Sequence, residues 1–206
     1  ALGAPAAEVW AEIWDELVPR FDAVLTGGGS TWDEHSMLLM ERHGYAEEAW
    51  FTWSYSPLRD DDDRIAGVLD VVFETTHEIL AERRLACISA LSAALLGAYK
   101  VTEVCRRAAS VLGRWNTDIV CADIYLRLNR TAALVATNRP EPASVVDTET
   151  VLAISEGAPT LVIGGDDGRS PAEHVVTKVA GLSGGVDGVL VATLDPHRAF
   201  DEEFRT

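Results

Sequence analysis

The sequence predicts an α+β protein with antiparallel sheets, arranged as two modules joined by a helix, and three observations carry that prediction. First, Phe51, Trp53 and Tyr55 alternate with Thr52, Ser54 and Ser56. This period of two puts the rings on one face of a strand and the hydroxyls on the other. Second, the run Ile65–Phe73 returns as a more continuously apolar strand across the turn Asp60-Asp61-Asp62-Asp63. Third, helical periodicity from Thr76 to about Leu96 separates this hairpin from a second series of helices and strands.

Along the chain, Val9, Trp10, Ile13, Trp14, Leu17, Phe21, Val24 and Leu25 follow an i, i+3, i+4 rhythm. Pro19 interrupts it, so two short helices are expected with the break there. Thr26-Gly27-Gly28-Gly29-Ser30 stops the helix and leads into a strand through Met40. Arg42-His43-Gly44-Tyr45 turns into the aromatic strand, which Ser56-Pro57-Leu58-Arg59 ends. The following helix has no proline and ends or kinks at Gly97. Its residues Ala81, Arg84, Ile88, Leu91 and Leu95 step by three and four, a coiled-coil seam of about two heptads or the buried stripe of an ordinary amphipathic helix.

In the second module a helix spans Thr102–Leu112, with Thr102 as N-cap. Strands follow at Ile119–Leu126 and Thr131–Thr137 around the turn Leu128-Asn129-Arg130. Asp147 caps a short helix that Gly157 ends. Pro159–Ile163 is a short strand, and Gly164 to Pro171 is a loop. Strands His174–Leu182 and Gly188–Leu194 pair, and Phe200–Phe204 opens a further helix.

Composition narrows the function classes. A formal charge of −16 and a pI near 4.6 argue against a nucleic-acid partner, which needs a basic surface. No apolar run approaches membrane-spanning length and no secretory pattern opens the chain, so no membrane association is expected and the cytoplasm is the expected compartment. Cys87, Cys105 and Cys121 are odd in number and show no metal-ligand or disulfide spacing, as reduced thiols would.

Tyr55-Ser56-Pro57-Leu58-Arg59-Asp60, Gly67-Val68-Leu69 and Glu74-Thr75-Thr76 resemble the closing hairpin of a PAS sensor domain. The aspartate run stands where that family usually has a glycine. The second module, with Gly188-Val189-Leu190-Val191-Ala192-Thr193 and Arg198 through Phe204, resembles a GAF domain in element order: helix, helix, two strands, helix, short strand, strand pair, terminal helix. The resemblance implies a partial PAS domain (1–76), a connecting helix (77–96) and a GAF domain (97–206, with 85–96 a possible part of it), with both ends truncated. It also implies a non-catalytic sensory segment of a bacterial signalling protein, a sensor histidine kinase of a two-component system or a PP2C-type phosphatase. Signal would pass from the sheet through Glu74, Thr75 and Thr76 into the helix of a homodimer.

The resemblance names no cofactor or ligand. Trp14, Phe51, Trp53 and Tyr55 either line a small-molecule cavity or fill the core, and aromatic rings favour core. Cys121 lies mid-strand with Asp123 and Tyr125 on the same face by parity, where a pocket could lie. Some GAF proteins reduce free methionine sulfoxide with cysteine thiols or attach a bilin to a cysteine. That makes a small redox enzyme one alternative, and a structural dimerisation module another. Asp60–Asp63 reads as a solvated turn rather than a calcium loop, which needs alternating ligands, a glycine and a distal glutamate. Gly164 to Gly168 lacks the lysine and serine of a phosphate loop. His77 precedes an acidic residue on a helix as a phosphoacceptor would, but no ATP-binding motifs accompany it, and an exposed helix-start histidine is expected.

Overall fold

The structure is a computed structural model that describes residues 2–42, 44–115, 117–139, 146–164, 172–179 and 188–198. The chain divides into two compact units, Ala1–Glu82 and Arg83–Thr206, and both are α+β with antiparallel sheets.

The first unit opens with helices α1 (Ala6–Val9) and α2 (Trp14–Leu25). Two helices form as expected, but the break falls at Trp10–Ile13 and Pro19 lies inside α2. Proline removes one N–H and crowds the carbonyl four residues back. Packing outweighs that cost here, because Ile13, Leu17 and Val24, on both sides of Pro19, are all buried. At the end of α2, Gly27 takes φ +94°. The Gly28 N–H reaches the Ala23 carbonyl at 2.8 Å and the Gly27 N–H the Val24 carbonyl at 3.1 Å, a Schellman closure that needs glycine at the left-handed position.

Strands β1 (Thr31–Glu41), β2 (Ala46–Arg59) and β3 (Ile65–Glu74) form a sheet in the order β1-β2-β3. Parity sorts β2 as read: Trp53 and Tyr55 lie in the core with Leu38, Met40, Ala49 and α2 residues Leu17 and Val24, and Phe51 packs against it. The opposite face is less open than its hydroxyls imply. Thr52 is only 8% exposed, and its Oγ1 accepts the His35 N–H at 3.1 Å, where β1 bulges and His35 takes φ +48°. Elsewhere that back face is apolar and solvent-facing, with Trp32, Met37, Leu39, Leu69, Val71 and Phe73 all exposed. In the acidic turn, Asp60 Oδ1 accepts the N–H groups of Asp62 and Arg64, each at 2.9 Å, so the turn is closed by its own carboxylate.

Helix α3 (Thr76–Leu95) runs unbroken through Arg83–Ala86, and Gly97 at φ +72° ends it. The predicted stripe is rotated. Leu91 and Leu95 are half-buried, whereas Leu85 and Ile88, with Leu96 just past the helix, are exposed large apolar residues.

The second unit continues with α4 (Val101–Leu112), β4 (Ile119–Leu128), β5 (Thr131–Thr137), α5 (Thr148–Ser155), β6 (Leu161–Gly164), β7 (Ala172–Val179) and β8 (Gly188–Leu194). The sheet order is β5-β4-β8-β7-β6. Thr102 is not the N-cap: α4 starts one residue earlier, and the Lys100 carbonyl takes the Glu103 and Val104 N–H groups at 2.9 and 3.0 Å. Asp147 does cap α5, its Oδ1 accepting the Thr150 N–H at 2.7 Å. Cys105 and Ala109 of α4 cover Ile124, Leu126 and Ala136 on one sheet face. Val151 and Ile154 of α5 cover Val176, Val189 and Val191 on the other. Residues 180–182 of the predicted strand, loop residues 165–171 and the helix start at 200–204 lie outside the described residues.

Trp53→Ala should cost about 3–5 kcal/mol in denaturant melts, the usual range for deleting a buried aromatic ring. Thr52→Ala should cost about 1 kcal/mol, the loss of one hydrogen bond. Equal costs would show that the two faces of β2 are not as described.

Candidate functional site

The register between β2 and β3 sets Tyr55 opposite Asp70, Trp53 opposite Val72 and Phe51 opposite Glu74. Cross-strand partners share a face, so an acid, a valine and a second acid join the three aromatic rings. Trp10, Ile13, Leu17 and Phe21 from the N-terminal helical segment roof this floor, and the half-open cavity between them measures about 270 Å³. Its walls are mostly apolar. The Phe21 and Tyr55 rings lie 4.6 Å apart and the Phe51 and Trp53 rings 6.4 Å apart, both tilted pairs of the favourable kind.

Trp53 is held from two sides. Its Nε1–H donates to Asp33 Oδ2 at 3.2 Å, and the Arg20 guanidinium sits 5.4 Å from its ring centroid, within cation–π range. Arg20 in turn donates to both Asp33 oxygens at 2.8 Å. The Arg20 hydrogen bond, opposed by burial, holds the Asp33 carboxyl below the usual carboxylate range.

Among the described residues, three charged ones line the cavity: Arg42, Asp70 and Glu74. Arg42 makes a bidentate pair with Glu74 at 2.9 and 3.0 Å and an ion pair with Glu47 at 3.3 Å. Glu74 Oε1 also accepts the Thr76 hydroxyl at 2.8 Å. Thr76 Oγ1 takes the Trp50 N–H at 2.9 Å, the Thr75 N–H donates to the Trp50 carbonyl at 2.7 Å, and Thr75 Oγ1 lies 3.2 Å from His35 Nδ1. Glu74, Thr75 and Thr76 therefore tie the cavity wall, the middle of β2 and the start of α3 together. The Arg42 hydrogen bond, against burial, keeps Glu74 below its ordinary range.

Asp70 is different. Burial pushes its carboxyl up, and among the described residues no hydrogen bond or ion pair reaches it. Burial, and next the Asp70 charge, push the Tyr55 phenol up to about 12, so Tyr55 is a neutral hydroxyl at any ordinary pH.

Of the sequence-predicted candidates, Phe51, Trp53 and Tyr55 come together in this cavity. Trp14 packs on the Phe21 ring at 5.3 Å but is not among the lining residues. Cys121, Asp123 and Tyr125 lie in the second unit on the sheet face that α5 covers. There Tyr125 packs against the α5 cluster, Cys121 is half-buried, and Asp123, 1% exposed, is committed to Arg139 Nε at 2.7 Å and to the Thr137 hydroxyl. The carboxylate Asp123 is thus a structural tie between β4 and the segment after β5. Arg42, Asp70 and Val72 escaped the sequence reading, although the parity of β3 against β2 across a short turn would have placed the last two. Among the described residues no group of three His, Cys, Asp or Glu side chains is placed to hold a metal ion, and no helix is long and apolar enough to cross a membrane.

No protein-family model matches the chain, and no curated protein does. Among solved structures, the chain is similar to the chromophore-binding domain of an unusual bacteriophytochrome, RpBphP3, from R. palustris. The two share 11% identity at a TM-score of 0.38, over 78% of this chain and 68% of that one.

A depressed Glu74 contributes stability that is complete above the ordinary carboxylate range and is lost as the pH falls through its lower folded value. Glu74→Gln should lower the thermal midpoint slightly at neutral pH and flatten its fall in the acid window. Parallel acid limbs for parent and variant would show that Glu74 is not held by Arg42.

Proposed function

We propose that the chain is a non-catalytic sensory segment, in which occupancy of the first unit's cavity is passed through Glu74-Thr75-Thr76 to α3 and on to an output domain. The observation that carries this reading is the shared Glu74 carboxylate. One of its oxygens serves both Arg42, which lines the cavity, and Thr76, the first residue of α3. A ligand that competes for either group changes the restraint on the helix start, and a two-state helix responds only to such a differential interaction. The PAS-like hairpin and the GAF-like order of elements in the second unit support placing the segment in the cytoplasm, within a bacterial histidine kinase or PP2C-type phosphatase.

A thiol redox enzyme draws no support from Cys87 or Cys105, whose thiols burial pushes up, away from the reactive thiolate. A purely structural spacer gives no use to a cavity walled by aromatic rings. The segment is read as a homodimer paired along the exposed Leu85 and Ile88 of α3 and Leu96 just beyond it, an isologous contact about a twofold axis.

Arg42→Ala should speed amide exchange in the first turn of α3, His77–Leu80, by about tenfold, the scale of one or two lost hydrogen bonds. Asp61→Asn, in the distant turn, should leave it unchanged. Unchanged exchange in Arg42→Ala would sink the relay. Ile88→Asp should convert the dimer to monomer in sedimentation; a parent already monomeric at high concentration would remove the dimer and leave the relay standing.

A further inference from the structure

We infer that the cavity of the first unit takes an organic cation, an amine or quaternary ammonium carried on a small aromatic or aliphatic body. The inference rests on the sensory reading above and names the ligand class for that same site.

Charge selects the sign. Among the described residues the lining holds one base, Arg42, against two acids, Asp70 and Glu74, and Glu47 adds a third carboxylate 3.3 Å from Arg42 Nε. Arg42 is therefore saturated by carboxylates on the protein itself, with its terminal nitrogens on Glu74 and its Nε beside Glu47. A ligand carboxylate would have to displace both and would still face Asp70. Asp70 is the unmatched group: it stands opposite Tyr55 on the cavity face of β3, and no described side chain pairs with it. Asp70 is solvent-exposed, so its unpaired charge stands at the open rim of the cavity, where a cation entering beside the rings meets it without displacing any protein partner.

The walls select the rest of the ligand. Phe21, Phe51, Trp53 and Tyr55 offer aromatic faces and edges around the same space. Such faces attract ammonium groups through their quadrupoles, more strongly when water is excluded. A volume of about 270 Å³ falls at the small end of ligand pockets, which suits a single-ring amine and not a nucleotide. The cation would sit between Asp70 and the rings, with its apolar body under the α2 roof of Leu17 and Phe21.

The test uses three probes against the full chain by calorimetry: 2-phenylethylammonium, benzyltrimethylammonium, and 3-phenylpropionate as the anion of matching size. Both cations should bind and the anion should not. Asp70→Asn should weaken the cations by about tenfold, the low end for losing a hydrogen-bonded charge. Asp70→Glu should keep the preference for cations. Binding of 3-phenylpropionate as tight as that of 2-phenylethylammonium, no binding by any probe, or Asp70→Asn binding cations like the parent would each overturn the inference. Amide exchange at His77–Leu80, read in the same samples, separates the two claims. Cation binding without a change in α3 would sink the relay and leave the ligand class intact, whereas anion binding that does change α3 would sink the ligand class and leave the relay.

Discussion

The pairing of β2 with β3 is the constraint on which the first unit depends. Tyr55 opposes Asp70 and Phe51 opposes Glu74, and the last β3 residue leads directly into α3. A slip of β2 by one residue would move every ring to the back face and leave both acids of β3 on the other. What fixes the register is local: the Asp60 carboxylate closes the turn on two backbone N–H groups, and at the other end the Thr75 N–H and the Thr76 hydroxyl bracket Trp50. The cavity, its charge and the start of the helix follow from a hairpin clamped at both ends.

Within that frame the polar groups divide by how completely they are matched. Arg20, Asp33 and the Trp53 indole form a closed set on β1, β2 and α2, in which each member satisfies the others. In the second unit Asp123 and Arg139 do the same across a sheet edge, at far greater burial. Matched groups of this kind rigidify, because removing one strands the rest. Arg42 and Glu74 are matched but half-open to solvent, and Asp70 is matched by nothing described. The gradient from closed pairs to an open carboxylate runs toward the cavity.

Much of the fold was legible because it rests on short-range rules. The period of two in Phe51–Ser56, the Asp147 cap and the glycines after α2, α3 and α5 each report a conformation through two to four residues. Other features escaped because they are set by distant partners. Pro19 reads as a break until Leu17 and Val24 are seen to bury one continuous face around it. Asp123 reads as a pocket residue until Arg139, sixteen positions on, is found against it. Thr52 reads as a solvent hydroxyl until the bulge at His35 brings a backbone N–H to it. The stripe on α3 was placed by spacing alone, and spacing cannot tell which side of a helix its own domain covers. Asp70 and Val72 were within reach of parity, but only once the hairpin register was fixed.

The back of the three-stranded sheet has a practical consequence. Trp32, Met37, Leu39, Leu69, Val71 and Phe73 face solvent beside two unpaired sheet edges, β1 and β3, the combination that templates strand-to-strand aggregation. At neutral pH a formal charge of −16 holds such surfaces apart by mutual repulsion. Approaching the pI near 4.6 abolishes that repulsion, and raising the salt concentration screens it. The apolar back face then becomes the stronger influence on how copies of the protein meet.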